Sequence, residues 1–298
     1  MASTREIKQR IGSIKNISQI TKAMQMVASS KMRRAQERVA QSRPYADQLR
    51  GMVARLARAG GADIGAGAAL MVQRPVRKIG YVLITPDRGL CGALPSNVNR
   101  KAANSILEVQ RELAQQSSEH TNVDFVAVGR KGRDFVVRSP YNLLAEFTNY
   151  GDKPSLNDAS AIAQVAVDAF TSGDIDVVYL VYAKFVNTVT LVPTVVKLLP
   201  VEPPTDEDDA KKNVEYTYEP DPQSLFEALL PRYIDLQVYQ ALLESLASQW
   251  SAQMVAMKNA TDSAKELLDD LKLTYNKARQ ASITTQILEI VSGAEALG

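Results

Sequence analysis

One cysteine and one histidine in 298 residues leave little room for several kinds of chemistry. A lone thiol, Cys91, cannot form an intramolecular disulfide, and its isolation fits a reducing compartment. His120 sits in a polar "SSEHTN" run far from Cys91 in sequence, so neither a metal site nor a Cys–His nucleophile pair is assembled. No carboxylates pair at a spacing and in apolar surroundings that suggest acid–base catalysis. The expectation is therefore no catalytic residue, no metal and no cofactor. Uninterrupted apolar runs are also missing: none approaches the ~20 residues that a membrane span needs. The N-terminus is positive but lacks the apolar segment of a secretory signal. A soluble, cytoplasmic chain is expected.

At 45% hydrophobic and 23% charged residues, the composition is that of a globular protein with a real core. The net charge of +2 hides an asymmetry. Residues 1–60 hold 13 Lys or Arg against Glu6, Glu37 and Asp47, a balance of +10 that leaves −8 for the rest. A basic arm of this kind suits nucleic acid, a membrane surface or an acidic protein, or is simply a solvated face. Residues 1–44 contain no aromatic side chain for base stacking, which weakens the nucleic-acid alternative.

Glycine and proline are scarce where the helices should be. The first ~57 residues read as helix apart from Gly12 and Pro44. Ser3 with Glu6 fits a capping box. Ile7, Ile11, Ile14, Ile17, Ile20, Met24 and Val27 form an apolar stripe. It continues as Ala28, Met32, Ala35, Val39, Ser42, Ala46, Leu49, Val53 and Leu56, and Pro44 should kink it. No glycine or proline interrupts residues 232–292, where a seven-residue repeat starts at Leu236 (Leu243, Trp250, Met257, Ala264, Leu271, Ala278, Thr285). A second row runs through Tyr239, Leu246, Gln253, Ala260, Leu267, Thr274, Ala281 and Leu288. Heptads sustained this long predict a coiled coil. At 1.5 Å per residue the helix would be ~90 Å long. The simplest partner is the N-terminal helix, antiparallel. The last stretch, "SITTQILEIVSGAEALG", carries only Glu289 and Glu295 as charges and reads as an apolar tip seeking a socket.

Between the helices the pattern alternates in the α/β manner, with strands expected at "RKIGYVLIT", "NVDFVAV", "IDVVYLVYAKF" and "TVTLVPTVVKLL". Helices are expected near 96–116, 130–137 and 155–172. The domain organisation is thus a helix over 1–60, a central α/β domain over 76–200, an acidic loop over 201–222 and a helix over 223–298. Two turns, "PDRGLCGAL" and "VGRKGRDF", have glycines after strands but lack the spacing and the Lys-Ser/Thr of a phosphate loop. Their glycines are best read as turn formers, and Cys91 as an inert packed thiol. A nucleotide enzyme and a basic coiled-coil nucleic-acid binder remain as alternatives at this level.

Three segments in order, "IKQRIGSIKNISQITKAMQMVASSKMRRAQ", "TPDRGLCGALPSNVNR" and "MVAMKNATDSAKELLDDLKLTYNKARQASITTQILEIVSGAEAL", resemble the gamma subunits of rotary F-type ATP synthases. The resemblance implies an antiparallel coiled coil inside a ring of three alpha and three beta subunits. It also implies an α/β domain that binds epsilon and stands on the c-ring. The function implied is a non-catalytic central-stalk rotor that couples ion-driven rotation to the cycle of the beta subunits. There would be no nucleotide or nucleic acid bound, and membrane contact only through the c-ring, on the cytoplasmic face of a bacterial plasma membrane. By the same resemblance, Arg279, Gln280 and Thr284 match a catch for a beta loop. Lys22 and Met24 match the position facing the acidic lever of beta, and Ile283, Ile287, Ile290 and Val291 an apolar bearing. Asp87 and Arg88 match a lower collar near epsilon. Gln249 and Gln253 depart from the family's charged pair, and a single cysteine excludes the redox-regulated chloroplast form.

Overall fold

The computed structural model describes residues 4–59, 69–114, 122–202, 218–219 and 221–295. The chain divides into two compact units, residues 30–252 and residues 1–29 with 253–298. His120, Ser3 and most of the acidic loop lie outside the described residues.

The larger unit is built on a five-stranded sheet. Its strands are β1 (Lys78–Ile84), β2 (Asn122–Val128), β3 (Asn142–Phe147), β4 (Val177–Phe185) and β5 (Leu191–Leu199), in the order β3-β2-β1-β4-β5. The first four are parallel, and β5 returns antiparallel to β4. β1 is central and covered on both faces, which is why it reads as a continuous apolar run. Ile79, Tyr81 and Leu83 face one core, with Leu94, Val98, Ala102 and Ile106 of α2 (Leu94–Ala114) and Val136 of α3 (Arg130–Val136). Val82 and Ile84 face the other, with Ala159, Ile162, Ala163, Ala166 and Phe170 of α4 (Leu156–Thr171). Ser155 and Asp158 close a capping box at the start of α4.

Two long helices complete this core. Val53 and Leu56 of α1 (Thr4–Ala59) and Phe226, Leu230, Ile234 and Val238 of α5 (Pro222–Glu295) are buried in it. Ala46 and Leu49 of α1 pack with Leu236 of α5, and Lys31 lies over Trp250, so in this unit the helices run antiparallel. The α1 stripe from Ala28 to Leu56 points inward as its periodicity requires. Both helices continue unbroken through their prolines, Pro44 and Pro231, which lie on exposed sides. α5 begins at Pro222, one residue before the expected start. Asp221 caps it by accepting from the Ser224 amide (2.8 Å) and hydroxyl (2.7 Å), and these bonds hold its carboxyl below the usual range.

In the smaller unit, the inward side chains of α1 are Ile7, Ile11, Ile14, Ser18, Thr21, Gln25 and Ala28. Those of α5 are Met257, Thr261, Ala264, Leu268, Leu271, Tyr275 and Ala278. The Thr21 and Thr261 hydroxyls meet at 2.8 Å. This corrects the stripe read from hydrophobicity: Ile17, Ile20 and Val27 are 47%, 59% and 54% exposed, and Leu267 is also outside. The strict alternation of three and four selects Ser18, Thr21 and Gln25 for the seam, whatever their polarity.

Gly129, between β2 and α3, has φ 91°, and a Cβ there would lie 2.0 Å from the Thr85 carbonyl oxygen. Gly129→Ala should lower stability by about 3 kcal/mol or more, measured by urea unfolding. Glu244 of α5 is half-buried, and desolvation pushes its carboxyl above the usual range against the opposing pull of Lys184 and Arg43. Its Oε2 has no hydrogen-bond partner. A raised folded pKa gives stability that is full below the unfolded value and lost as pH rises through the folded one. Glu244→Gln should therefore flatten the stability–pH profile just above the ordinary glutamate range, as read by thermal melts at stepped pH.

Candidate protein-interaction surfaces

The turn after β1 is held from within. The Thr85 hydroxyl donates to the Val128 carbonyl (3.1 Å) and accepts from the Gly132 amide (2.7 Å). Asp87 follows, half-buried, and accepts from the Arg130 amide (3.1 Å) and the Asn149 amide (2.8 Å). One carboxylate thus joins the chain leaving β1, β2 and β3. Arg88 and Leu90 are exposed, and Leu90 holds φ 65°, a conformation that disfavours a branched aliphatic residue. Cys91 is buried, with its thiol pushed up by desolvation and donating to the Arg88 carbonyl (3.6 Å). It is a packed thiol.

α5 lies across these strand ends. Ser248 donates to the Ala183 carbonyl (2.9 Å) and Ser251 to the Thr188 carbonyl (2.7 Å), pinning β4 and the hairpin that follows it. Asp87, Arg88, Arg130, Asn149, Asp152, Gln249 and Trp250 line a cleft of ≈ 320 Å³ at the other strand ends. Asp152 pairs with Lys31 (2.6 Å), and Arg130 donates to Asn149 (2.7 Å). Lys31 also sits 4.4 Å from the Trp250 ring centroid, a cation–π contact that ties α1, α5 and the loop after β3 at one point. Gly151, with φ 65° and open space where a Cβ would stand, also lines the cleft. Among the described residues no cluster of His, Cys, Asp or Glu could hold a metal, and no helix is long and apolar enough to cross a membrane.

The far end of α5 is a different surface. Ala278 is the last inward residue, and residues 279–294 are exposed on every side. Gln280 and Thr284 lie on one face, and the Thr284 hydroxyl donates to the Gln280 carbonyl (3.0 Å), leaving its lone pairs free to accept. Arg279 lies about 100° around from Gln280, nearer to Ile283 and Ile290, whereas Ile287 and Val291 fall on the Gln280 side. The trio therefore does not form a single cluster. Lys22 and Met24 are likewise two residues apart and face apart, Lys22 exposed and Met24 half-buried. Sequence reasoning missed the internal duty of Asp87 and the Lys31–Asp152–Trp250 tie, because both join residues distant in sequence.

A family profile described as ATP synthase matches residues 3–297. Curated relatives include an ATP synthase gamma chain of Roseiflexus castenholzii, 50% identical with 100% of this chain and 99% of the relative covered. The same protein of Chloroflexus aurantiacus is 48% identical, again over 100% and 99%. The chain belongs to the ATP synthase gamma chain family. Among solved structures, the Tetrahymena thermophila mitochondrial ATP synthase central stalk and c-ring contains a similar chain, 29% identical with TM-score 0.58, covering 81% of this chain and 99% of that one. A chain of the Euglena gracilis mitochondrial ATP synthase, 19% identical, shares the fold with TM-score 0.63 over 99% of this chain and 94% of that one. Family membership makes the chain a component of the ATP synthase, an enzyme complex associated with a membrane. The long helices and mixed sheet are the central-stalk fold.

The two collar residues should separate on mutation. Asp87→Ala orphans two backbone amides and should cost about 1–3 kcal/mol in urea unfolding. Arg88→Ala should leave stability within about 0.5 kcal/mol, because its side chain is exposed.

Proposed function

We propose that the chain is the non-catalytic rotor of a bacterial F-type ATP synthase. It would sit on the cytoplasmic face of the plasma membrane and couple c-ring rotation to the conformational cycle of three beta subunits. The observation that carries this reading is the bare end of α5: sixteen helical residues past the last inward side chain, exposed all round and nearly uncharged. An apolar helix tip of this kind is stable in water only when something encloses it.

In this reading Ile283, Ile287, Ile290 and Val291 turn within an apolar sleeve of alpha and beta subunits, where contact without directional bonds allows sliding. Gln280 and Thr284 offer hydrogen bonds to a beta loop on one side, and Arg279 offers a charge on another. The two would engage in succession as the rod turns. Lys22 meets the acidic lever of beta, with Met24 reaching a different surface. Asp87 holds the collar loop in shape and Arg88 reaches outward, toward epsilon. Rotation does work through differential contact: each beta conformation is favoured by the face presented to it.

Reconstitution with alpha and beta subunits should give one copy per three beta subunits and stimulate ATP hydrolysis. A different ratio or unchanged activity would sink the reading. In the reconstituted complex, Arg279→Ala with Gln280→Ala should lower turnover by about three- to tenfold, a barrier change of up to ~1.4 kcal/mol. Helical circular dichroism should be unchanged; wild-type turnover would reject the catch.

A further inference from the structure

Where α1 and α5 leave the larger unit, at residues 30 and 252, each is fastened to a different part of the sheet. α1 is held on the β3 side: Lys31 pairs with the Asp152 carboxylate (2.6 Å), and Arg38 donates to the Asp152 carbonyl. α5 is held on the β4 side, by the Ser248 bond to the Ala183 carbonyl (2.9 Å) and the Ser251 bond to the Thr188 carbonyl (2.7 Å). Both holding loops are braced. The Asn149 amide is fixed on Asp87 (2.8 Å), and the Asn187 side chain accepts from the Val189 (2.9 Å) and Thr190 (2.7 Å) amides. In the sheet order β3 and β4 stand three strand spacings apart, ~14 Å at ~4.8 Å each. Between the helices, Lys31 lies 4.4 Å from the Trp250 ring centroid, so one ammonium joins α1 to α5 and to the loop after β3.

We propose that Lys31, Asp152 and Trp250 form a torsion clamp, a set of positioning residues that makes the two helices turn with the sheet instead of swivelling upon it. The inference deepens the rotor reading and rests on it. A helix pair fastened at one point can rotate about that point. Fastenings at two separated strands resist rotation, because each acts on a lever arm. Apolar packing cannot do this alone: contacts such as Ala46 and Leu49 against Leu236 are non-directional and tolerate a small turn. The ion pair and the ring contact specify one angle. Lys31 is the member that all three parts share. Without it α5 keeps its two serine bonds, while α1 keeps the Arg38 bond and loses both its ion pair to the loop and its ring contact with α5. The pair is partly exposed, and ion pairs of that kind contribute little to folding. Its placement beside the end of the larger unit is therefore better explained by resistance to twist than by stability.

The test uses the full-length chain assembled with alpha and beta subunits and immobilised through them. Cys91 is buried, so Leu107→Cys on the exposed face of α2 supplies a single reactive thiol to carry a bead. The angular fluctuation of the bead during pauses between turns reports torsional stiffness. Lys31→Met should raise the angular variance about twofold, the change expected when one of two fastenings is lost, with unloaded ATP hydrolysis retained. Asp152→Asn should act in the same direction. Lys31→Arg keeps the charge and can stack on the ring, and should narrow the distribution again. Wild-type variance in both Lys31→Met and Asp152→Asn overturns the clamp and leaves the rotor reading standing. A Lys31→Met chain that loses thermal stability and hydrolysis together assigns the contact to folding and likewise overturns the clamp. A bead on the otherwise wild-type chain that does not rotate with ATP overturns the rotor reading itself.

Discussion

Between Phe226 and Trp250 a single helix has to be dry on most of its sides. Phe226, Leu230, Ile234 and Val238 share a core with the sheet and α4, Leu236 packs against Ala46 and Leu49 of α1, and Trp250 is buried under Lys31. From Ile234 to Trp250 no residue of this helix is exposed, and two different layers enclose it. Its burial then falls along its length, to a narrow seam from Met257 to Ala278 and to nothing after it. One element thus serves as core, as half of a two-helix rod and as a bare tip.

That constraint also shapes the α/β unit. A parallel sheet with its order reversing between β1 and β4 ordinarily offers a ligand crevice at the strand ends. Here Ser248 and Ser251 use those ends to anchor α5. In the remaining cleft Asp87 accepts from two amides and Asp152 pairs with Lys31. Family membership accounts for a component of an enzyme complex with this build.

Much of the fold was legible in the sequence, for physical reasons. Four strands and the three shorter helices announced themselves because buried parallel strands are unbroken apolar runs and the helices over them are amphipathic. β3 was missed: as an edge strand, "NLLAEF" alternates between exposed and half-buried positions and lacks a strong apolar run. The C-terminal helix, expected from residue 223, begins at Pro222, and its capping signal is Asp221 followed by Pro222 and Ser224. In the rod the hydrophobic stripe misled, since Ile17 and Ile20 outrank Ser18 and Thr21 by hydrophobicity yet lie outside the seam.

The sequence by itself determined the family and the two long helices, because heptads, glycine-free runs and motif spacing are local properties of a chain. Only the tertiary structure decided which polar residues are internal and which apolar ones are offered outward. Asp87 became a bracket across three strands, Lys31 a tie between Trp250 and Asp152, and Ile17, Ile20 and Val27 an outer ridge. Those roles depend on which face a second helix or a distant loop happens to cover, and coverage is a property of packing that no single segment encodes.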